Sequence, residues 1–92
     1  MSVDLATAKA FLRITHSDDD AQITLLMNSA AAALERYAGD DFDAYDEDVD
    51  AAQLLYLDYL YYPRSDVTLD PVTGWPMAVA ALMLPFRLPT AK

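Results

Sequence analysis

The chain has 92 residues, no cysteine, and six basic residues against fifteen acidic ones, a formal net charge of -9. This excludes a disulfide framework and a thiol nucleophile, and it argues against wrapping nucleic acid, because affinity for a phosphate backbone comes from Lys and Arg. A hydrophobic fraction of 54% lies above the globular norm of roughly 45–50%, in a length that makes one domain over residues 1–92 and leaves much of its surface to water or partners.

The N-terminus has no basic segment followed by an apolar run, and no apolar stretch approaches the ~20 residues needed to cross a bilayer. The expected setting is therefore the cytoplasm, without a signal peptide or a membrane span. Ser2-Val3-Asp4 precedes Leu5 to Leu12, where Leu5, Ala8 and Leu12 share one helical face with Phe11 beside them. Ser2 or Asp4 caps this short helix, and Lys9 and Arg13 sit toward its C-terminal end, where the dipole favours positive charge. The link Ile14 to Ser17 is short enough to fold the first helix back near the second.

Asp18 to Gly39 reads as one long central helix. Ser17 with Asp20 has the form of a capping box, and Asp18 to Asp20 place negative charge at the positive end of the dipole. Ile23, Leu26, Met27, Ala30, Leu34 and Tyr37 fall on one stripe of a 3.6-residue helix, and at ~1.5 Å per residue the element spans about 30 Å. Gly39 closes it in a left-handed conformation that other residues avoid. Ala30 to Ala33 either let neighbours approach closely or only reflect helix propensity.

Asp40 to Asp50 is strongly acidic, carrying Asp40, Asp41, Asp43, Asp46, Glu47, Asp48 and Asp50. A calcium loop needs oxygen ligands at positions one, three and five, glycine at six and glutamate at twelve. From Asp41 those last three positions hold Tyr45, Asp46 and Ala52; from Asp46 the sixth and twelfth are Ala51 and Leu57. Both registers fail, and the reading is a solvated loop whose last members cap the next helix, with no metal site.

The third helix, Asp48 to Tyr62, is apolar on nearly every side: Leu54, Leu55, Tyr56, Leu57, Tyr59, Leu60, Tyr61 and Tyr62 point in nearly every direction, with only Gln53 and Asp58 interrupting. One packing face cannot hold them all, so cover from outside the chain is expected, and tyrosine is a residue that interfaces favour. Pro63 ends the helix. Residues 63–75 form a long loop or small hairpin, in which Trp75 either anchors the segment in the core, the preferred reading, or reaches a partner. Pro76 suits the first position of a last helix, Met77 to Leu84. Pro85 stops or kinks it, and the tail from Phe86 to Lys92 is expected to order on docking.

No catalytic constellation is present. His16, the only histidine, lies in a linker; the two glycines, Gly39 and Gly74, are too far apart to cradle a phosphate. The acidic pairs fall in a loop rather than in the rigid cleft that hydrolysis requires. Neither an enzyme nor a cofactor is expected.

The order of features resembles a known family. Leu5, Ala8-Lys9 and Leu12-Arg13-Ile14 lead into the Asp18-Asp19-Asp20 start of an alanine-rich helix closed by Glu35, Tyr37 and Gly39. An apolar third helix ending Leu60-Tyr61 follows with Arg64 nearby, and Leu82 to Arg87 ends in Leu-Pro-Phe-Arg. The whole is similar to the small head-tail connector, or adaptor, proteins of long-tailed bacteriophages, also described as possible DNA-packaging proteins. Tyr62-Pro63 and the unusually acidic loop depart from the pattern.

The resemblance implies an all-α bundle of about four helices in the virion neck, assembled in the host cytoplasm as a ring of about twelve copies, which closes only if the rotation per subunit divides the circle. It implies the portal protein and a head-completion or stopper protein as partners, DNA passing without specific binding, and no enzymatic turnover. On that reading Tyr56, Tyr59 and Leu60 are expected at the subunit interface, and Phe86 and Arg87 at the portal or stopper. A competing reading from charge alone is a free acidic interaction protein, a DNA mimic that blocks a basic partner.

Overall fold

Asp4 starts the first helix as its position predicts. In the computed structural model, which describes residues 3–43 and 45–87, the Asp4 carboxylate accepts the Thr7 N–H at 2.8 Å and opens α1, Leu5–Leu12. Ser2 lies outside the described residues. Arg13 ends the helix at a positive φ of 61°, and its N–H turns back to the Ala10 carbonyl. Lys9 reaches from α1 to Asp20 at 2.8 Å, so the short link does fold α1 onto α2.

The central helix α2, Asp20–Ala38, starts two residues later than the sequence predicts. The expected capping box does not form: Ser17 offers its backbone carbonyl to the Asp20 N–H, and no side chain caps the helix. Tertiary partners take the carboxylates instead. Asp20 pairs with Lys9, and Asp19 accepts the hydroxyl of Tyr61. At the far end Gly39 takes φ 63° and ψ -130°, which only glycine adopts cheaply. A short 3-10 turn, Gly39–Asp41, follows.

The third helix α3, Glu47–Tyr61, begins where the Asp46 carboxylate accepts the Asp48 N–H at 2.8 Å. The fourth, α4, runs Met77–Arg87. Pro76 stands one residue before it, not at its first position, and its carbonyl accepts the Ala80 N–H. Helix α4 also runs past Pro85, which the sequence reading makes a stop or a kink. Proline forfeits one backbone hydrogen bond there, and Phe86 beyond it packs against the core. Between α3 and α4 a single antiparallel bridge joins Leu69 to Pro76, and the described residues contain no strand.

The core divides into two clusters along α3. One gathers Ala8 and Leu12 of α1, Ile23 and Met27 of α2, and Leu57 of α3. The other gathers Leu34 and Ala38 of α2, Val49 and Ala52 of α3, Trp75, and Val79 and Met83 of α4. Full burial of residues such as Ile23, Leu34 and Leu57 contributes about 1.5–3 kcal/mol each. Where the clusters meet, Ala30 and Ala31 are buried and Gln53 of α3 donates to the Met27 carbonyl at 3.0 Å. Half of the alanine run thus brings α2 and α3 close together; Ala32, which faces out, has no such role.

The subunit measures 49 × 29 × 16 Å. Two packed helices whose axes lie about 8–10 Å apart span roughly this thin dimension between their Cα atoms, so the bundle is about two helices thick. Such a slab leaves wide helix faces open.

Candidate assembly surfaces

Helix α3 is better sheltered than its sequence implies. Every residue from Val49 to Tyr61 is buried or half-buried, because α2 covers one flank and α4 another. The expectation that the chain cannot cover this helix by itself is corrected on that point. Considering one packing face overlooked the second, supplied by α4.

Its tyrosines are largely engaged inside the chain. Tyr56 stacks at a tilt against Trp75, with ring centroids 5.7 Å apart, while Tyr37 of α2 meets the same indole at 4.9 Å. Trp75 is buried, as expected, and these two rings hold the 67–76 segment against the bundle. The Tyr61 hydroxyl donates to Asp19, and this carboxylate pushes its pKa up to about 12. The Tyr62 hydroxyl donates to the Leu12 carbonyl at 3.2 Å, and the Tyr61 and Tyr62 rings meet edge to face.

Tyr59 and Leu60 are half-buried and belong to neither cluster. Tyr59 lines a depression with Arg64, Val67, Pro76 and Met77, at whose rim Arg64 pairs with Asp58 at 2.8 Å. Phe86 is half-buried in the second cluster rather than free on a tail. Arg87 ends α4, and its side chain, like all of residues 88–92, lies outside the described residues.

The largest feature that sequence reasoning missed is the outer face of α4. No polar side chain occurs from Met77 to Phe86; Val79 and Met83 point inward, while Met77 (47%) and Leu84 (46%) remain exposed. Beside them the turn at 70–75 raises Val72, 89% exposed. Asp70 fixes that turn. Its carboxylate accepts the Val72 and Thr73 N–H groups and the Thr73 hydroxyl, which holds its pKa below the usual carboxylate range. Gly74, at φ 76°, completes it.

Two adjoining depressions of about 290 and 580 Å³ share Tyr37, Val72, Thr73 and Leu84, and Arg36 borders the second. Through Met77 this apolar surface continues to the Tyr59 depression. The signal was present in the sequence: the apolar run of α3 from Leu54 to Tyr61, broken only by Asp58, has its counterpart in α4.

The acidic loop is organised by its own backbone. Asp43 accepts the Tyr45 N–H at 2.9 Å, Asp46 caps α3, and Glu47, Asp48 and Asp50 lie in its first turn, where the dipole favours them. Among the described residues no group of three or more His, Asp or Glu side chains is placed to hold a metal ion. Two of the few cations, Lys9 and Arg64, are paired with Asp20 and Asp58. His16 lies exposed in the α1–α2 link, where its ring Nδ1 accepts the Asp18 N–H at 3.3 Å. No helix among the described residues is long and apolar enough to cross a membrane.

The chain is thus an acidic, all-helical subunit with an open apolar face, and comparison with known proteins shows its family. Residues 2–66 match the model of the phage gp6-like head-tail connector protein family. The chain therefore belongs to that family, whose members are structural components of the virion neck. The match takes in α1, α2, the acidic loop and α3, and ends before the 67–76 segment and α4. No curated protein and no solved structure matches the chain.

Proposed function

We propose that the chain is one subunit of a ring in the phage neck, seated beneath the portal, joined to a head-completion or stopper protein, and open to DNA at its centre. The observation that carries this reading is the exposed apolar face of α4, running from Met77 to Leu84, on an otherwise acidic slab. An apolar face flanked by polar surface is characteristic of proteins that bind other proteins. Tyr59 and Leu60, with the outer edge of Tyr56, extend the contact surface past Met77. Phe86 and Arg87 end the helix that leads the terminal segment toward the portal or stopper.

The acids serve the passage of DNA. Like charges repel over about a Debye length, ~10 Å at 0.1 M salt, and a lining of carboxylates keeps a phosphate backbone from adhering. Replacing Asp40, Asp43 and Asp48 with asparagine should increase DNA retention by the assembled ring at low salt. Unchanged retention would remove this part of the reading. The assembly itself is tested by co-sedimentation with the portal protein encoded in the same gene neighbourhood: several copies should travel with each portal, and none should do so when Met77 and Leu84 are both replaced by glutamate.

A further inference from the structure

The ring reading leaves open which surface of a neighbour covers the α4 face, and the structure offers one complementary element on the same chain. Tyr45 is 74% exposed, at the tip of the acidic loop. It is held out by local bonds: Asp43 accepts its N–H, and Asp46, the next residue, is fixed as the cap of α3. An aromatic side chain brings about 150–250 Å² of surface that gains by burial.

The groove it would enter is apolar, formed by Tyr37, Val72, Met77, Ala81 and Leu84. Arg36 stands at its rim, exposed and without an ion pair among the described residues. Copies that each carry a net charge of -9 repel one another, so a contact between them is favoured where it brings opposite charges together. Asp43 and Glu47 bracket Tyr45, and both are exposed. Asp70, the acid in the groove, is already engaged by the turn it fixes.

We propose that Tyr45 of one copy seats in the Val72–Leu84 groove of the next, with its flanking Asp43 and Glu47 facing Arg36. The occupant of the α4 face is thus a second copy of this chain, and the contact deepens the ring reading on which it rests. Knob and groove are different patches, so the contact is head-to-tail and propagates around an axis.

The absence of native cysteine makes the test clean. Tyr45→Cys and Val72→Cys variants, one isotopically labelled, are mixed at rising concentration with and without the portal protein, then oxidised, and mixed disulfides are measured by mass spectrometry. Both positions are exposed, so neither change disturbs the core. The expected result is a mixed-disulfide yield at least several-fold above that of a Phe11→Cys and Val72→Cys control pair. Adding Arg36→Glu to the Val72→Cys chain should lower the yield several-fold, and adding Asp43→Lys and Glu47→Lys to the Tyr45→Cys chain should restore it.

Native mass spectrometry of the wild-type chain under the same conditions separates the two ideas. Ring-sized assemblies of the wild-type chain that also form undiminished from a Tyr45→Ala variant, with no excess of mixed disulfide, would overturn this contact and leave the ring reading intact. Absence of assemblies and of cross-links, with and without portal, would overturn both.

Discussion

Gln53 of α3 donates from Nε2 to the Met27 carbonyl of α2 at 3.0 Å, while its own Oε1, equally buried, has no partner among the described residues. This single polar side chain sits where the two core clusters meet. A buried acceptor left unmade costs about 1–3 kcal/mol. Gln53→Met, of similar shape, is therefore expected to be neutral or to stabilise by up to about 1 kcal/mol. Gln53→Glu should destabilise by about 3 kcal/mol or more, because it buries a charge without a partner. Urea midpoints of the two variants check the pair, and a large loss in Gln53→Met would mean that the bond to Met27 is worth more than the orphaned oxygen costs.

Tyr56 and Tyr59, three residues apart on α3, should respond differently to the same change. Tyr56→Asp removes a ring packed on Trp75 and is expected to cost about 3–5 kcal/mol, the range for deleting a core aromatic. Tyr59→Asp should leave the fold intact and weaken association. Trp75 is the only tryptophan, so its emission reports the fold directly: a red shift in native buffer is expected for Tyr56→Asp and none for Tyr59→Asp. Matching spectra, with association lost in both, would mean that Tyr56 serves the interface rather than the packing of Trp75.

Much of this fold was legible because local chemistry decided it. Asp4 caps α1, glycine closes α2, and the stripe from Ile23 to Leu34 faces the core as its spacing predicts. The start of α2 was not, because Asp19 and Asp20 are held by Tyr61 and Lys9, partners that only the tertiary fold brings near. The surface was misjudged for a similar reason. Helices α3 and α4 are both apolar around their circumference, and sequence alone does not tell which will lie between neighbours and which at the edge. The structure places α3 between α2 and α4 and leaves one face of α4 open.

Stability should change at both ends of the pH scale. Asp4 is held below the ordinary carboxylate pKa by the Thr7 backbone N–H, and Asp70 by that of Thr73. For a depressed carboxylate the unfolded chain takes up its proton first as pH falls. The contribution is therefore full above the unfolded value near 3.8 and is lost as pH drops through the lower folded values. Tyr61 has the opposite sign. Its hydrogen bond to Asp19 raises the phenol from 10.0 to about 12, so its contribution is full below pH 10 and disappears as pH rises toward 12. Thermal scans between pH 9 and 12 should show a steeper decline in Tm for wild type than for Tyr61→Phe; parallel declines would show that the bond to Asp19 contributes little.

Gly39→Ala tests the exit from the central helix. The added methyl would meet nothing within 4 Å, so any cost is conformational rather than steric. At φ 63° and ψ -130° the expected loss is about 1–3 kcal/mol. A chemical denaturation midpoint equal to that of wild type would mean that the loop relaxes to an ordinary backbone at no cost.

The central claim is that this subunit is made to assemble through an apolar face it cannot cover. Native mass spectrometry of the chain titrated against its portal protein tests that claim most directly. The account predicts one closed ring of several copies per portal, lost when Met77 and Leu84 are both changed to glutamate while the Trp75 emission stays native. A portal that takes up no copies, or a doubly substituted chain that assembles as well as wild type, would contradict it.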